Sequence, residues 1–110
     1  MTVRYQIRLT RQAERDLASV LRWFAEQRAM AAGNKWVSAL MAKLVTLERN
    51  PDRCPIIDES TDVGLEIREI LFGKRQGIYR LLFRIDGRTV HLLRIWHAAR
   101  ETPTADDLFL

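Results

Sequence analysis

Residues 78–100 read IYRLLFRIDGRTVHLLRIWHAAR, two β-rich runs that are joined by the dipeptide Asp86-Gly87. Asp-Gly is favoured in the two-residue turn of a β-hairpin in which both turn residues have positive φ. A turn at this dipeptide pairs Ile85 with Arg88, and the register of the other residues follows. The stretch therefore predicts an antiparallel hairpin in the second half of the chain.

The predicted register divides the side chains of the hairpin between two faces. The apolar set, which is able to carry a core, contains Tyr79, Leu81, Phe83, Val90, Leu92 and Trp96. The other set mixes small aliphatic residues with the basic residues Arg80, Arg84, His91 and His97, and Arg100 follows just beyond the strand. This pattern is typical of an antiparallel sheet with one half-open face. We expect function on the cationic face.

Length and composition bound the class of protein. The 110 residues are enough for one domain with its own core, and 47% hydrophobic and 29% charged residues argue against disorder. Cys54 is a lone cysteine, so no internal disulfide forms, and the sequence contains no zinc spacing, signal peptide or transmembrane run. We expect a cytoplasmic protein without membrane contact, with one domain over residues 1–102 and a short acidic tail over residues 103–110.

The net charge of +4 is unevenly distributed. Residues 65–100 contain eight basic and three acidic residues, whereas the last ten residues contain three acidic residues and no basic residue. The positive excess therefore lies on the predicted sheet, which indicates a polyanionic or acidic partner. The alternative is a basic surface that serves solubility alone.

Apolar periodicity predicts the rest of the fold. In chain order it gives a strand over residues 3–9, a helix from about Arg11 to about Met30, a second helix that Asn50-Pro51 stops, a loop, and a strand over residues 65–72. Thr10 is a candidate N-cap, and Gly33-Asn34 marks the predicted break between the helices. Trp23 and Trp36 either pack the helical hairpin or expose a contact for a partner. The order β-α-α-β-β-β predicts an α+β fold, with a helical hairpin on one face of an antiparallel sheet.

Basic side chains on the sheet are the candidate functional groups. Arg80 and Arg84 are suited to hold a phosphate bidentately, and His97 is suited to move a proton. Lys74 and Arg75 lie in the turn beside the same sheet, where they can contact phosphate. For each of these residues the alternative is a solvated charge. The sequence contains no Ser-His-Asp set, glycine-rich phosphate loop or metal cluster, so we predict no cofactor and no metal.

The order and spacing of several motifs resemble the RelE/ParE superfamily of bacterial toxins from type II toxin–antitoxin modules. The opening strand is followed by T-x-x-A-x-x-D-L, from Thr10 to Leu17, and the second helix ends in L-x-x-N-P, from Leu47 to Pro51. The remaining matches are the loop residue Pro55, I-R-E-I at residues 67–70, Y-R-L-L-F at residues 79–83 and L-R-I-W-H-A-A-R at residues 93–100.

The resemblance implies a growth-inhibiting toxin that is neutralised by a cognate antitoxin encoded beside it, in a hetero-oligomer. It also implies that an acidic antitoxin segment wraps the helical hairpin and an exposed sheet edge. ParE-like members poison DNA gyrase and are not enzymes, whereas RelE-like members are metal-independent endoribonucleases that cut mRNA on the ribosome. A decayed, inactive toxin is a third alternative.

The C-terminal residues favour the ParE-like group. The ending H-A-A-R, from His97 to Arg100, is similar to the H-G-x-R ending of ParE-like members, and residues 101–110 lack the tyrosine that many nucleases carry there. If the chain is a nuclease, the resemblance implies that Arg80 and Arg100 stabilise the scissile phosphate and that His97 is the acid or base. Under either mechanism, contacts with nucleic acid or target are expected from Lys74, Arg75, Arg80, Arg84 and Arg100.

Overall fold

The computed structural model describes residues 3–74 and 77–109. Within them, four strands form one sheet in the order β1-β4-β3-β2, and two long helices are followed by two short ones. The strands are β1 (Gln6–Leu9), β2 (Arg68–Phe72), β3 (Tyr79–Asp86) and β4 (Thr89–His97). The helices are α1 (Arg11–Glu26), α2 (Met30–Val45), α3 (Ser60–Val63) and α4 (Ala105–Phe109), with 3₁₀ turns at Thr46–Glu48 and Pro51–Arg53.

The predicted α+β fold is confirmed: the α1–α2 hairpin packs on one face of the sheet. Strands β2, β3 and β4 are antiparallel, as predicted. β1 instead runs parallel to β4, with Gln6 opposite Thr89, so the sheet as a whole is mixed. Because β1 lies at the edge beside β4, the first and the last strands of the chain are neighbours.

The break between the long helices lies earlier than the sequence predicted. α1 ends at Glu26 and α2 begins at Met30, and Arg28 in the connection has a φ of 53°. Gly33 is therefore not a breaker: it is buried inside α2 against Phe24 of α1. A Cβ at position 33 would lie 3.0 Å from the Cβ of Phe24, which is tighter than an ordinary contact, so glycine favours the close approach of the two helices.

The main core lies between the helices and one face of the sheet, which we call the helix-covered face. Leu81, Phe83, Leu92 and Ile95 are buried there against α1 and α2. Ile7 and Leu9 of β1, and Tyr5 just before it, also pack against this core, as predicted. Burial of this apolar surface is the main stabilising contribution to the fold.

The opposite face, which we call the second face, is less open than the sequence predicted. Leu82 and Trp96 are buried there in a smaller apolar cluster. Residues from the loop after α2 and from α4 cover it; those that are buried are Ile57, Ile67 and Leu108. The acidic tail therefore folds onto the sheet, where Leu108 is 3% exposed.

The hairpin turn lies one residue further along the chain than Asp86-Gly87. Asp86 is paired with Thr89, so the two turn residues are Gly87 and Arg88, and the predicted pairing of Ile85 with Arg88 is wrong. Of the two, Gly87 has a positive φ, 59°. A hairpin turn that needs positive φ at its first residue alone places glycine there, which leaves Asp86 in the strand.

A β-bulge then changes which face the last residues of β4 occupy. Phe83 is opposite Leu92, but Leu82 is opposite Arg94, so Leu93 is the extra residue. Beyond the bulge, Trp96 lies on the second face, opposite Arg80, and His97 lies on the helix-covered face, opposite Tyr79. The predictions that Trp96 shares the main core and that His97 faces the same way as Arg80 are therefore wrong.

Candidate functional site

The T-x-x-A-x-x-D-L motif joins α1 to the part of β4 that leads to the site. β1 ends opposite Leu92, and the chain then turns into α1. The hydroxyl of Thr10 donates to the carbonyl of Leu93 at 2.9 Å, and the carboxylate of Asp16 accepts from the backbone N–H of Ile95 at 2.9 Å. Two side chains of the motif thus replace the ladder that a longer β1 would have formed, and they fix the position of α1 on the sheet.

Arg94 strengthens this junction. Its Nε and Nη2 atoms donate to the two oxygens of Asp16 at 2.7 and 2.8 Å, and its Nη1 donates to the carbonyl of Asp107 at 2.7 Å. The hydrogen bonds with Asp16 outweigh the opposing effect of burial and raise the pKa of Arg94. The bidentate ion pair therefore joins α1 to β4, and the hydrogen bond to Asp107 adds α4.

Arg80 is held by two carboxylates on the second face. Its Nε donates to Glu69 of β2 at 2.6 Å, and its Nη2 lies 3.1 Å from both oxygens of Glu59. Burial lowers the pKa of Arg80, but the hydrogen bonds and charges of Glu69 and Glu59 outweigh this effect, so the pKa is raised overall. Its Nε and Nη2 donors bind the protein itself, so Arg80 anchors the loop that carries Glu59.

Two adjoining cavities form a groove at the end of β4, between α1 and the sheet. Their volumes are about 270 and 660 Å³, and both are lined by Trp23, Tyr79 and His97. Lys74 also lines the larger cavity, and Arg100 the smaller. We call this surface the Trp23 groove. It combines aromatic walls with a cation at each end.

The aromatic side chains of the groove support one another. Trp23 is 55% exposed, and its ring packs edge-on against Phe24 at 5.1 Å between centroids. Tyr79 lies edge-on between Trp36 and His97, at 5.4 and 5.0 Å. Such pairs favour defined ring orientations, so the groove has rigid walls.

The polar side chains of the groove include those of His97, Tyr79 and Arg100. The Nδ1 of His97 accepts from the backbone N–H of Ala99 at 3.1 Å, which assigns the proton of the neutral ring to Nε2. Burial raises the pKa of Tyr79, so its hydroxyl stays protonated at neutral pH. Arg100 lies at the rim, with its guanidinium carbon 3.9 Å from the centroid of the Trp96 ring.

Comparison with known proteins identifies the family. Residues 7–102 match the family model described as the ParE toxin of the type II toxin–antitoxin system, parDE. The chain belongs to the ParE toxin family. Toxin RelE1 of Caulobacter vibrioides (strain ATCC 19089 / CIP 103742 / CB 15) is 32% identical over 89 residues, which cover 81% of this chain and 88% of that protein.

The fold agrees with a solved structure of the same kind. The structure titled "Chromosomal ParDE TA system from P. aeruginosa" has a TM-score of 0.70 at 16% identity, and the match covers 87% of this chain and 98% of that one. The ParE-family chain is therefore a toxin of a type II toxin–antitoxin system, and its family implies a cognate antitoxin as partner. None of its helices among the described residues is long and apolar enough to cross a membrane.

The structure of this ParE-family toxin divides the predicted site residues between two surfaces. Lys74, His97 and Arg100 come together at the Trp23 groove. Arg80 and Arg84 lie on the second face, and Arg75 lies outside the described residues. The single cationic face that the sequence predicted is therefore not formed, because the bulge at Leu93 turns His97 away from the arginines.

The sequence alone assigned no specific role to Asp16, which fixes α1 on β4, or to Trp23, which lines the groove. Asp16 was part of a motif, and its spacing from Thr10 and Ala13 does place all three along one side of a helix, which was the available signal. Of the two alternatives for Trp23, packing and exposure, the structure shows exposure, at 55%.

Proposed function

We propose that this toxin acts by binding DNA gyrase and poisoning it, with no bond broken by its own side chains. The observation that carries the proposal is the separation of Arg80 from His97 on opposite faces of the sheet. A nuclease that used both residues would need them on one phosphate, within hydrogen-bond reach. Moreover, Glu59 and Glu69 already bind the Nε and Nη2 donors of Arg80.

The Trp23 groove is the surface that suits a protein target. Trp, Tyr and Arg are enriched among the residues that dominate binding energy at protein interfaces, and Trp23, Tyr79 and Arg100 all line the smaller cavity. The exposed ring of Trp23 would supply the apolar anchor. Lys74 and Arg100 would favour a target surface of negative charge.

The alternative is a ribosome-dependent endoribonuclease, and one observation favours it. His97 shares the groove with Lys74 at one end and Arg100 at the other, so an RNA strand along the groove would pass two cations and one acid–base group. Cleavage through the 2′-hydroxyl would leave a 2′,3′-cyclic phosphate and a 5′-hydroxyl. In this nuclease alternative, Arg80 keeps its ion pairs with Glu59 and Glu69 and takes no part in cleavage.

The antitoxin is proposed to cover the exposed apolar side chains of the hairpin and the end of β2 around Leu71, beyond the part of that edge that pairs with the loop at residues 55–57. Met30, Met41 and Val45 of α2 are exposed, and Leu71 of β2 is 54% exposed at the edge of the sheet. An amphipathic helix and an added strand are the two recurrent ways to bury such surfaces. The net charge of +4 favours an acidic segment.

Induced expression tests the two mechanisms while translation and DNA integrity are followed separately in the same culture. A gyrase poison is expected to give DNA-damage signalling and protein-linked DNA breaks while incorporation of labelled amino acids is still normal. The matched control is expression of the toxin together with its antitoxin. If translation collapses first, with mRNA cuts in phase with codons, the gyrase proposal is wrong and the nuclease alternative stands.

A further inference from the structure

The arginines that β3 and β4 carry on the second face differ in how their charge is compensated. Arg80 and Arg94 lie in short ion pairs that are largely buried. The ion pair of Arg84 is long, at 3.8 Å from its Nη1 to the carboxylate of Asp86, and the side chain of Asp86 is 69% exposed. Exposed pairs of this kind contribute little free energy, so the guanidinium of Arg84 keeps donors for another ligand.

Two further basic side chains lie beside Arg84. His91 is directly opposite Arg84 in the ladder of β3 and β4, and Arg11, the first residue of α1, lines the same cavity. Within residues 3–74 and 77–109, neither Arg11 nor His91 forms an ion pair. Arg84 and His91 thus face each other on one side of the ladder, where an anion bound between them would accept hydrogen bonds from both side chains.

The cavity at these residues has one polar and one apolar wall. Its volume is about 300 Å³, which is at the small end of the range for ligand pockets. The side chains of Leu93, Leu108 and Phe109 form the apolar wall, and Phe109 is 46% exposed. No carboxylate side chain is among its lining residues in the described part of the chain.

We propose that this cavity binds a nucleotide by its 5′-phosphate. Arg84 would hold the phosphate bidentately, with Arg11 and His91 as further donors, because arginine matches the geometry of a phosphate group. The base would stack on the exposed ring of Phe109, as bases do on aromatic side chains. A free nucleoside monophosphate and the 5′-phosphorylated end of an oligonucleotide share this chemistry, and the volume admits one nucleotide.

Isothermal titration of the full chain with 5′-AMP, adenosine and inorganic phosphate tests the proposal. We expect 5′-AMP to bind with one site and more tightly than inorganic phosphate, and adenosine to give no measurable heat. Arg84→Gln should weaken binding of 5′-AMP at least about tenfold, as loss of a charge-assisted pair would. Arg88→Gln is the matched control, because Arg88 is an exposed arginine in the adjacent turn that does not line the cavity.

Phe109→Ala tests the stacking wall by itself. It should reduce the affinity for 5′-AMP to that for inorganic phosphate and leave the phosphate affinity unchanged. Competition between 5′-AMP and a tetranucleotide with or without a 5′-phosphate then distinguishes a free nucleotide from a nucleic-acid end. Equal losses in Arg84→Gln and Arg88→Gln, equal affinities of wild type for phosphate and 5′-AMP, or no binding at all would overturn the proposal. Gyrase takes no part in these titrations, so their outcome is independent of the proposed function.

Discussion

Asp16→Ala is expected to lower the free energy of unfolding by about 3–5 kcal/mol, because it removes one partner of a buried ion pair. The side chains of Asp16 and Arg94 are 13% and 11% exposed, so Arg94 would be left with an unpaired charge that water hardly reaches. The backbone N–H of Ile95 would also lose its acceptor. Denaturation with urea, followed by far-UV circular dichroism, measures the change.

Two companion variants make this result specific. Arg15→Ala changes an exposed neighbour on the same helix and should alter the free energy of unfolding by no more than about 0.5 kcal/mol. Asp16→Asn keeps the size of the side chain and one acceptor oxygen, so its effect should lie between those of the two alanine variants. An Asp16→Ala protein as stable as Arg15→Ala would show that the junction of α1 and β4 does not depend on this pair.

Trp23→Ala is expected to remove most of the gyrase poisoning while the fold stays intact. A central aromatic anchor at an interface typically contributes about 2 kcal/mol or more, which corresponds to a roughly thirty-fold loss of affinity. Because Trp23 is 55% exposed, its removal leaves little buried surface behind. The measurement is the toxin concentration that gives half-maximal DNA cleavage by purified gyrase, together with the urea midpoint of each protein.

Leu65→Ala is the matched control for Trp23→Ala. Leu65 is also a large apolar residue, 47% exposed, and it does not line the Trp23 groove. Its variant should keep the half-maximal concentration of the wild type. If Trp23→Ala poisons gyrase as well as Leu65→Ala does, the target does not bind at this groove.

The parts of the fold that follow from neighbouring residues could be predicted from the sequence. Thr10 caps α1 as predicted, since its hydroxyl accepts from the N–H of Ala13 at 3.2 Å. The alternation of residues 5–9 correctly assigns the inward side chains. Asn50-Pro51 lies beyond the end of the second helix, since α2 ends at Val45 and a 3₁₀ turn continues to Glu48. Each of these signals depends on residues a few positions apart, which is the range over which caps and strand periodicity act.

The bulge in β4 was not predictable from periodicity. Leu92 and Leu93 are adjacent and both buried, one on each face, so their sequence pattern is the same with or without an extra residue. The faces on which Trp96 and His97 lie depend on that one extra residue, because a shift of one position moves every later side chain of the strand to the opposite face. A positive φ at Gly87 is compatible with a turn at Asp86-Gly87 or at Gly87-Arg88, so the glycine does not decide between these two registers.

The site depends on contacts between distant parts of the chain. Asp16 and Arg94 are 78 residues apart, and Arg80 is 21 residues from Glu59. Nothing in local propensity indicates that Arg80 and Arg94 bind carboxylates of the protein whereas Arg84 keeps free donors. The sequence therefore indicated candidate residue types, and the structure was required to separate the arginines that stabilise the fold from those that remain accessible.

Incubation of the purified toxin with purified gyrase, negatively supercoiled plasmid and ATP, followed by detergent and protease, tests the proposed mechanism most directly. We predict that linear plasmid accumulates with toxin concentration and that no linear product forms when gyrase is omitted. Absence of linear plasmid, together with cleavage of mRNA by the same toxin preparation on programmed ribosomes, would contradict the proposed mechanism.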